Sequence, residues 1–162
     1  INAFNDFDMR PPVLYSDPTG AADIRSLAGL QDGAHVWFPA NRNAQLHITG
    51  INTFGRSQIT LSYQLAANLF EAGTSSNLNV IQVVVNGVAM NVPSVPISSA
   101  ADDNNVYRTV VLEGIPAREN LSIEFISLGT ANTVGFRLDN IRITAQSTGI
   151  GGGPPIILTP DN

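Results

Sequence analysis

The sequence predicts an all-β protein, a two-sheet antiparallel β-sandwich of jelly-roll type with about nine strands and an extended C-terminal tail. Apolar and polar residues alternate in twos along much of the chain, which places successive side chains on opposite faces of a sheet. Helical periodicity is hard to find. Turn-forming Gly, Pro and Asn-Gly sequences separate the alternating segments, as expected for short strands joined by tight loops.

The most regular alternation runs from Gln58 to Leu65, where apolar residues at odd positions share one face and polar residues at even positions share the other. This segment is predicted to be a strand with one buried face. A hairpin is predicted from Leu78 to Val92, because Asn86-Gly87 suits the positive φ angles of a type I′ turn. Further strands are predicted at Ala3 to Phe7, Ala34 to Phe38, Ala44 to Thr49, Val106 to Leu112, Leu121 to Leu128 and Val134 to Ala145.

The chain of 162 residues has the size of one domain, which we place at residues 1–146. A short helical turn is predicted between Ala21 and Leu30. Residues 147–162 differ in kind, since a Gly- and Pro-rich linker leads into an apolar, β-prone segment. That segment, Ile156, Ile157 and Leu158, is predicted to add a strand to the sheet of a neighbour. The alternatives are that the tail folds back on its own domain or is the linker to a further module.

Composition excludes several classes of function. The chain has no cysteine, so a disulfide, a thiolate metal site and a cysteine nucleophile are ruled out. Its net charge is -5 and its eight basic residues are not clustered, which argues against a nucleic-acid partner. No apolar run reaches the ~18 residues that span a bilayer. The neutral polar surface and the start at Ile1 predict an exported protein, outside the cell or on its surface, either processed or cut from a longer chain.

The last predicted strand contains a break in its alternation at Asp139-Asn140. A β-bulge there would restore the register, and bulges often re-aim a side chain towards a site. The alternative is a local role in which Asp139 accepts hydrogen bonds from nearby backbone.

Three short motifs carry a resemblance to a known family. The sequence Leu138-Asp-Asn-Ile141 near the end of the domain, Ile48 to Thr53 before a long strand, and Gly114-Ile-Pro116 before another resemble galactose-binding-like jelly rolls. That group includes carbohydrate-binding modules and surface modules of Bacteroidetes-type exported proteins, and the likeness covers roughly Ala3 to Ala145.

The resemblance implies a structural calcium ion. In several of those families an Asp of the last strand and an acidic residue of the first strand hold Ca²⁺, which prefers oxygen ligands. Asp139 matches the former position and Asp8 the latter, with Asp6 in the same segment. The oxygen-rich loop from Asp102 to Asn105 is predicted to be a solvated turn rather than a second metal site.

Trp37, His35 and Tyr107 are the candidate ligand-binding residues. Sugar-binding jelly rolls present aromatic rings, and Trp37 shares its parity with His35 and not with Val36 or Phe38, so it is expected to face away from the core. The alternative for a lone Trp is packing beneath a loop. The low aromatic content of 7% counts against a glycan-binding role.

Catalysis is not predicted. Neither His35 nor His47 lies in a metal-ligand spacing, and the chain has no Gly-x-Ser-x-Gly elbow for a serine nucleophile. Paired carboxylates for glycoside hydrolysis would be a spatial arrangement, but the chain has few Glu residues to form one.

Two functions follow from these patterns. The favoured interpretation is a non-catalytic extracellular subunit that self-assembles into a filament or surface structure, with the tail packing on a neighbour or donating a strand to it. The alternative is a carbohydrate-binding or adhesion module of a larger secreted protein. The expected partners are other copies of the chain or a glycan.

Overall fold

The computed structural model describes residues 12–26, 33–69, 72–128 and 133–147, together with the backbone of residues 156–158. Nearly all regular structure in these residues is β-strand, as predicted, and a short 3-10 helix spans Leu78–Val80. In chain order the strands are β1 (Leu14–Ser16), β2 (Asp23–Arg25), β3 (His35–Pro39), β4 (Gln45–Ile51), β5 (Arg56–Leu69), β6 (Ser75–Asn77), β7 (Ile81–Val85), β8 (Val88–Ala89), β9 (Pro96–Ser98), β10 (Arg108–Ile115), β11 (Leu121–Ser127), β12 (Thr133–Ser147) and β13 (Ile156–Leu158).

Two antiparallel sheets form the sandwich. The five-stranded sheet has the order β1-β4-β11-β7-β8, and the six-stranded sheet has the order β10-β5-β12-β3-β2 with β13 beside β12. Strands β6 and β9 form a small separate pair. Within the larger sheet, β3 pairs with residues 135–138 of β12 and β13 pairs with residues 143–145. The long strand β12 therefore has two different neighbours along one side.

The hydrophobic core lies between the two sheets, because the apolar residues of each strand share the inward face. Tyr63 of β5 and Phe125 of β11 meet edge to face across the interior, with ring centroids 5.0 Å apart. Both rings are fully buried. The Tyr63 hydroxyl finds no hydrogen-bond partner among the described residues. The two strands that carry these rings thus fix the sheets to each other.

Two local predictions are confirmed. Asn86 and Gly87 form the turn between β7 and β8 with φ angles of 51° and 79°. The register between β5 and β12 shifts between Asp139 and Arg142, as a bulge requires, and Asn140 takes a φ of 49°. The second strand of the predicted hairpin is shorter than expected, since β8 ends at Ala89 and does not extend to Val92.

The predicted helical turn between Ala21 and Leu30 is wrong where the structure describes it. Residues 23–25 form β2, because pairing with β3 buries Ile24 beside Val36 and supplies the backbone hydrogen bonds that a lone helical turn would lack. Residues 27–30 of that segment and the whole predicted strand from Ala3 to Phe7 lie outside the described residues. Strands β1, β6 and β9 were not predicted, since three residues are too few for alternation to show.

Strand β12 ends at Ser147, within one residue of the predicted domain limit. The division into a domain of residues 1–146 and a tail of residues 147–162 remains a proposal. In the part of the chain that the structure describes, no helix has the length and apolar character to span a membrane.

Candidate functional site

The outer face of the six-stranded sheet carries the candidate site. Along β3, Val36 and Phe38 enter the core while His35 and Trp37 point the other way, as the alternation predicted. Both outward residues are nevertheless only 3% exposed. Trp37 is therefore a covered ring rather than an open stacking platform.

Arg137 of β12 is the residue that covers them. It lies opposite Trp37 in the register of β12 and β3, and its guanidinium carbon sits 4.6 Å from the centroid of the Trp37 ring. A second guanidinium, that of Arg25 on β2, lies 5.1 Å from the same centroid. Arg137 is buried, and its attraction to the negative face of the indole offsets part of the cost of desolvating it, whereas the Arg25 side chain is 49% exposed.

Hydrogen bonds fix Arg137 in place. Its Nη1 donates to Nε2 of His35 at 2.9 Å, and its Nε donates to Oδ1 of Asn105 at 3.2 Å. Arg137 is 8% exposed, and both of these partners are neutral at pH 7. Since a guanidinium cannot accept a hydrogen bond, Nε2 of His35 is the acceptor and the proton of the neutral ring is on Nδ1.

Burial and two neighbouring positive charges keep His35 neutral. Burial, followed by the charges of Arg137 and Arg25, lowers the pKa of His35 from 6.5 to about 4. Burial also lowers the pKa of Arg137. His35 is thus neutral at physiological pH, the state that the bond from Arg137 requires.

Tyr107 and Asp139 complete this cluster. Burial and the negative charge of Asp139 raise the pKa of Tyr107 to about 12, while Arg137 acts in the opposite direction. Asp139 is buried on the same outer face, and its Oδ1 accepts the backbone N–H of Asn140 at 2.7 Å. Four predicted site residues therefore belong to one cluster. His35 and Trp37 contact Arg137, and Tyr107 interacts electrostatically with Arg137 and with Asp139.

Sequence reasoning missed Arg137, Arg25 and Asn105. The alternation along β12 could have indicated Arg137. Its neighbours in sequence, Phe136 and Leu138, are apolar and face the core, so Arg137 must face outward as Asp139 does. No local pattern links Asn105 to it, because the bond joins residues 32 positions apart.

The loop before β10 is held by its own polar side chains. Asp103 accepts the backbone N–H of Ser98 at 2.6 Å and the Nη2 of Arg108 at 2.8 Å, and these bonds hold its pKa below the ordinary value. Asn104 accepts the backbone N–H of Leu69 at 2.8 Å. The loop predicted as a solvated turn thus uses these oxygens to tie β5, β9 and β10 together.

Of the three predicted calcium ligands, Asp139 lies among the described residues. Asp6 and Asp8 lie outside the described residues. Among those described, no group of three or more His, Asp or Glu side chains is placed to hold a metal ion. Asp139 therefore does not form a calcium site with described carboxylates alone, and the predicted site requires the N-terminal segment.

The apolar tail segment forms a strand of the chain's own sheet. Residues 156–158 pair antiparallel with residues 143–145 of β12, with Ile157 opposite Thr144. This pairing within one chain corresponds to the alternative in which the segment folds back on its own domain, and not to the favoured prediction of donation to a neighbour.

An open depression of about 290 Å³ adjoins Trp37 at the β2 edge. Asp23 and Arg25 form an ion pair of 3.2 Å at its wall. The loop before β2 is ordered by Asp17, whose carboxylate accepts the backbone N–H groups of Thr19 at 2.9 Å and Ala22 at 2.7 Å. The residues lining the depression are Gly20, Ala21, Ala22, Asp23, Arg25, Trp37, Pro39 and Arg42.

Comparisons with known proteins identify the fold. No family model and no curated protein sequence matches the chain. Among solved structures it is similar to a family 35 carbohydrate-binding module from Clostridium thermocellum, with a TM-score of 0.55 and 18% identity over 83% of this chain and 98% of that one. A family 35 module from an environmental isolate gives a TM-score of 0.51 and 18% identity, over 86% of this chain and 88% of that one.

A third similar structure is an exo-β-1,3-galactanase from Phanerochaete chrysosporium, with a TM-score of 0.50 and 20% identity over 81% of this chain. This chain spans only 27% of the galactanase. At these identities the likeness establishes the fold alone. The resemblance to carbohydrate-binding jelly rolls that was drawn from short motifs is confirmed at that level.

Proposed function

We propose that the protein is a non-catalytic carbohydrate-binding module of an exported protein. The observation that carries this proposal is its fold, which matches a carbohydrate-binding module over 98% of the length of that module. This ranks the glycan-binding alternative above the self-assembly interpretation that the sequence favoured.

The depression beside Trp37 supports the proposal by its chemistry. Its carboxylate and guanidinium groups, Asp23, Arg25 and Arg42, offer acceptors and donors that suit sugar hydroxyls. Trp37 supplies one wall, and Arg137, bonded to His35 and Asn105, lies over the Trp37 ring. A non-catalytic role is consistent with the pairing of these groups, since His35 bonds Arg137 and Asp23 bonds Arg25.

A glycan array tests this function. The wild-type protein is expected to bind at least one glycan, and Trp37→Ala is expected to weaken that binding because the Arg25 side chain loses its support. Phe54→Ala is the matched control, since Phe54 is an aromatic residue 69% exposed elsewhere on the surface. Binding by neither wild type nor variants would refute the proposal.

A second proposed role is exchange of the tail strand between copies of the chain. It is favoured by the pairing of β13 with β12, because a strand that fits this edge in its own chain fits the same edge in an identical partner. Residues 148–155, which include four glycines and two prolines, connect the two strands. Oligomers at high concentration are expected for the full chain and not after deletion of residues 149–162, as measured by light scattering. Equal oligomerisation of both proteins would exclude tail exchange.

The structural calcium ion remains a proposal as well. Its ligands would include Asp139 on β12 with Asp6 and Asp8 from the N-terminal segment, and the oxygen donors fit the preference of Ca²⁺.

A further inference from the structure

A polar lane runs along the outer face of the six-stranded sheet, away from Trp37. It is formed by outward side chains of β10, β5 and β12, which the register sets side by side, with Arg142 opposite Ser62 and Thr144 opposite Thr60. We name this surface the outer lane and define it by Thr60, Ser62, Gln64, Thr109, Arg142 and Thr144.

Two depressions lie along the outer lane. One, of about 550 Å³, is lined by Thr60 and Thr144, and another, of about 230 Å³, is lined by Ser62, Gln64 and Arg142. Thr60 and Ser62 are successive outward residues of β5, so the two depressions follow one another along this strand. From Gln58 to Gln64 the lane extends for about 20 Å, at ~3.3 Å per residue.

Both ends of the outer lane are defined by the fold. At one end the loop before β10 crosses the outer face, since Asn105 reaches over it to bond Arg137. At the other end the strands lose their regular register between Leu112 and Ile115 of β10 and between Thr144 and Gln146 of β12. The larger depression lies at that end.

The chemistry of the outer lane selects a class of ligand. Its defining side chains are four hydroxyls, the amide of Gln64 and the cation Arg142, and Glu113, which lines the larger depression, adds a charge of the opposite sign. A phosphate-rich ligand would need an excess of cations. A protein partner would need an apolar or aromatic centre. Among the described strands of this sheet, the exposed large apolar residues are two separated valines, Val111 at 47% and Val134 at 36%. A neutral, hydroxyl-rich chain both donates to and accepts from groups of this kind, of which Gln64 already accepts a hydrogen bond from Asn140 at 2.6 Å.

We propose that the outer lane is a second binding site, which takes an extended neutral glycan along β5. The inference rests on the proposed carbohydrate-binding function and assigns to it a site separate from the depression beside Trp37. Binding depends on hydrogen bonds from short side chains over a long contact rather than on ring stacking.

The test is affinity electrophoresis in gels that contain linear neutral polysaccharides (a xylan, a mannan, a galactan and a β-1,3-glucan), with polygalacturonate as an acidic comparison. Ser62→Arg places a long side chain in the middle of the lane and is expected to reduce retardation at least tenfold. Thr109→Arg, at an exposed position on β10, is a second blocking variant. Gln82→Arg adds the same group to the exposed face of the other sheet and is expected to bind as wild type does. Thermal melts establish that each variant is folded.

The outcomes separate the two proposals. Loss of binding in Ser62→Arg or Thr109→Arg, with Gln82→Arg unchanged, supports the outer lane. Wild-type binding that persists in both blocking variants overturns the lane and leaves the carbohydrate-binding function standing. Absence of wild-type binding to every polysaccharide overturns both. Preference for polygalacturonate over the neutral chains overturns the assignment of a neutral ligand.

Discussion

At the scale of single residues, Arg137 decides the character of the outer face. A buried cation beside neutral partners is costly, and the cost is met by the face of Trp37 and by two hydrogen bonds to His35 and Asn105. The same arrangement keeps His35 neutral, so the stability of the cluster depends on pH.

Acidification is expected to destabilise the protein through His35. Its pKa in the folded state is about 4, against 6.5 for an unperturbed histidine, so the unfolded state binds the proton more readily. The stabilising contribution is complete above pH 6.5 and is lost as the pH falls towards 4. Each pKa unit is worth about 1.4 kcal/mol, so the loss approaches about 3 kcal/mol.

Urea unfolding between pH 7 and pH 4 measures this effect. His35→Gln retains an acceptor for Arg137 but cannot be protonated, so its stability should fall less steeply with acid than that of wild type. His47→Gln is the control, because His47 is the other histidine and lies half-buried on the opposite sheet. Identical slopes for wild type and His35→Gln would contradict the prediction.

At the scale of elements, β12 organises the larger sheet. It pairs with β5 along most of its length, with β3 at its start and with β13 near its end. The bulge after Asp139 lets one strand serve both neighbours while its apolar residues stay inward on either side of the break. The close approach of β12 to β3 depends on Gly135.

Gly135→Ala is expected to destabilise the fold by about 1 to 3 kcal/mol through overpacking. A Cβ atom at this position would lie 2.4 Å from the carbonyl oxygen of Phe38 and 2.6 Å from the Trp37 ring. Trp37 is the only tryptophan, so its fluorescence reports the displacement directly. Val134→Ala, one residue earlier on the partly exposed side, should change neither stability nor fluorescence by a comparable amount. Wild-type stability for Gly135→Ala would show that β3 moves aside without cost.

At the scale of the whole molecule, the sandwich places two distinct polar surfaces on one outer face. The depression beside Trp37 lies towards the β2 edge, and the outer lane lies towards the β10 edge, with the Arg137 cluster between them. A calcium ion held by Asp139 and the N-terminal segment would connect this centre to the first residues of the chain.

Calcium removal is expected to lower the melting temperature of the whole domain. Ligands that bind only the folded state stabilise it by mass action, so EDTA should shift the melt downward and added Ca²⁺ should restore it. Asp8→Asn should melt at the EDTA-treated temperature with or without chelator. Asp102→Asn is the control, because Asp102 is exposed. An unchanged melt in EDTA would rule out a structural ion.

Much of the fold could be predicted because the alternation of apolar and polar residues along a strand depends only on residues adjacent in sequence. The strand containing Gln58 to Leu65, the turn at Asn86-Gly87 and the break at Asp139-Asn140 each depend on neighbours in sequence, and each is found in the structure. The short strand at residues 23–25 could not be predicted, since it exists only through its pairing with β3.

The sequence by itself determined that His35 and Trp37 face away from the core, because parity along a strand fixes the face of each side chain. Only the tertiary structure decided that these residues are covered, and by what. The guanidinium of Arg137 comes from a strand 100 positions further along the chain, and Asn105 comes from a loop. Contacts of that kind depend on strand order and register across the sheet, which local periodicity does not encode.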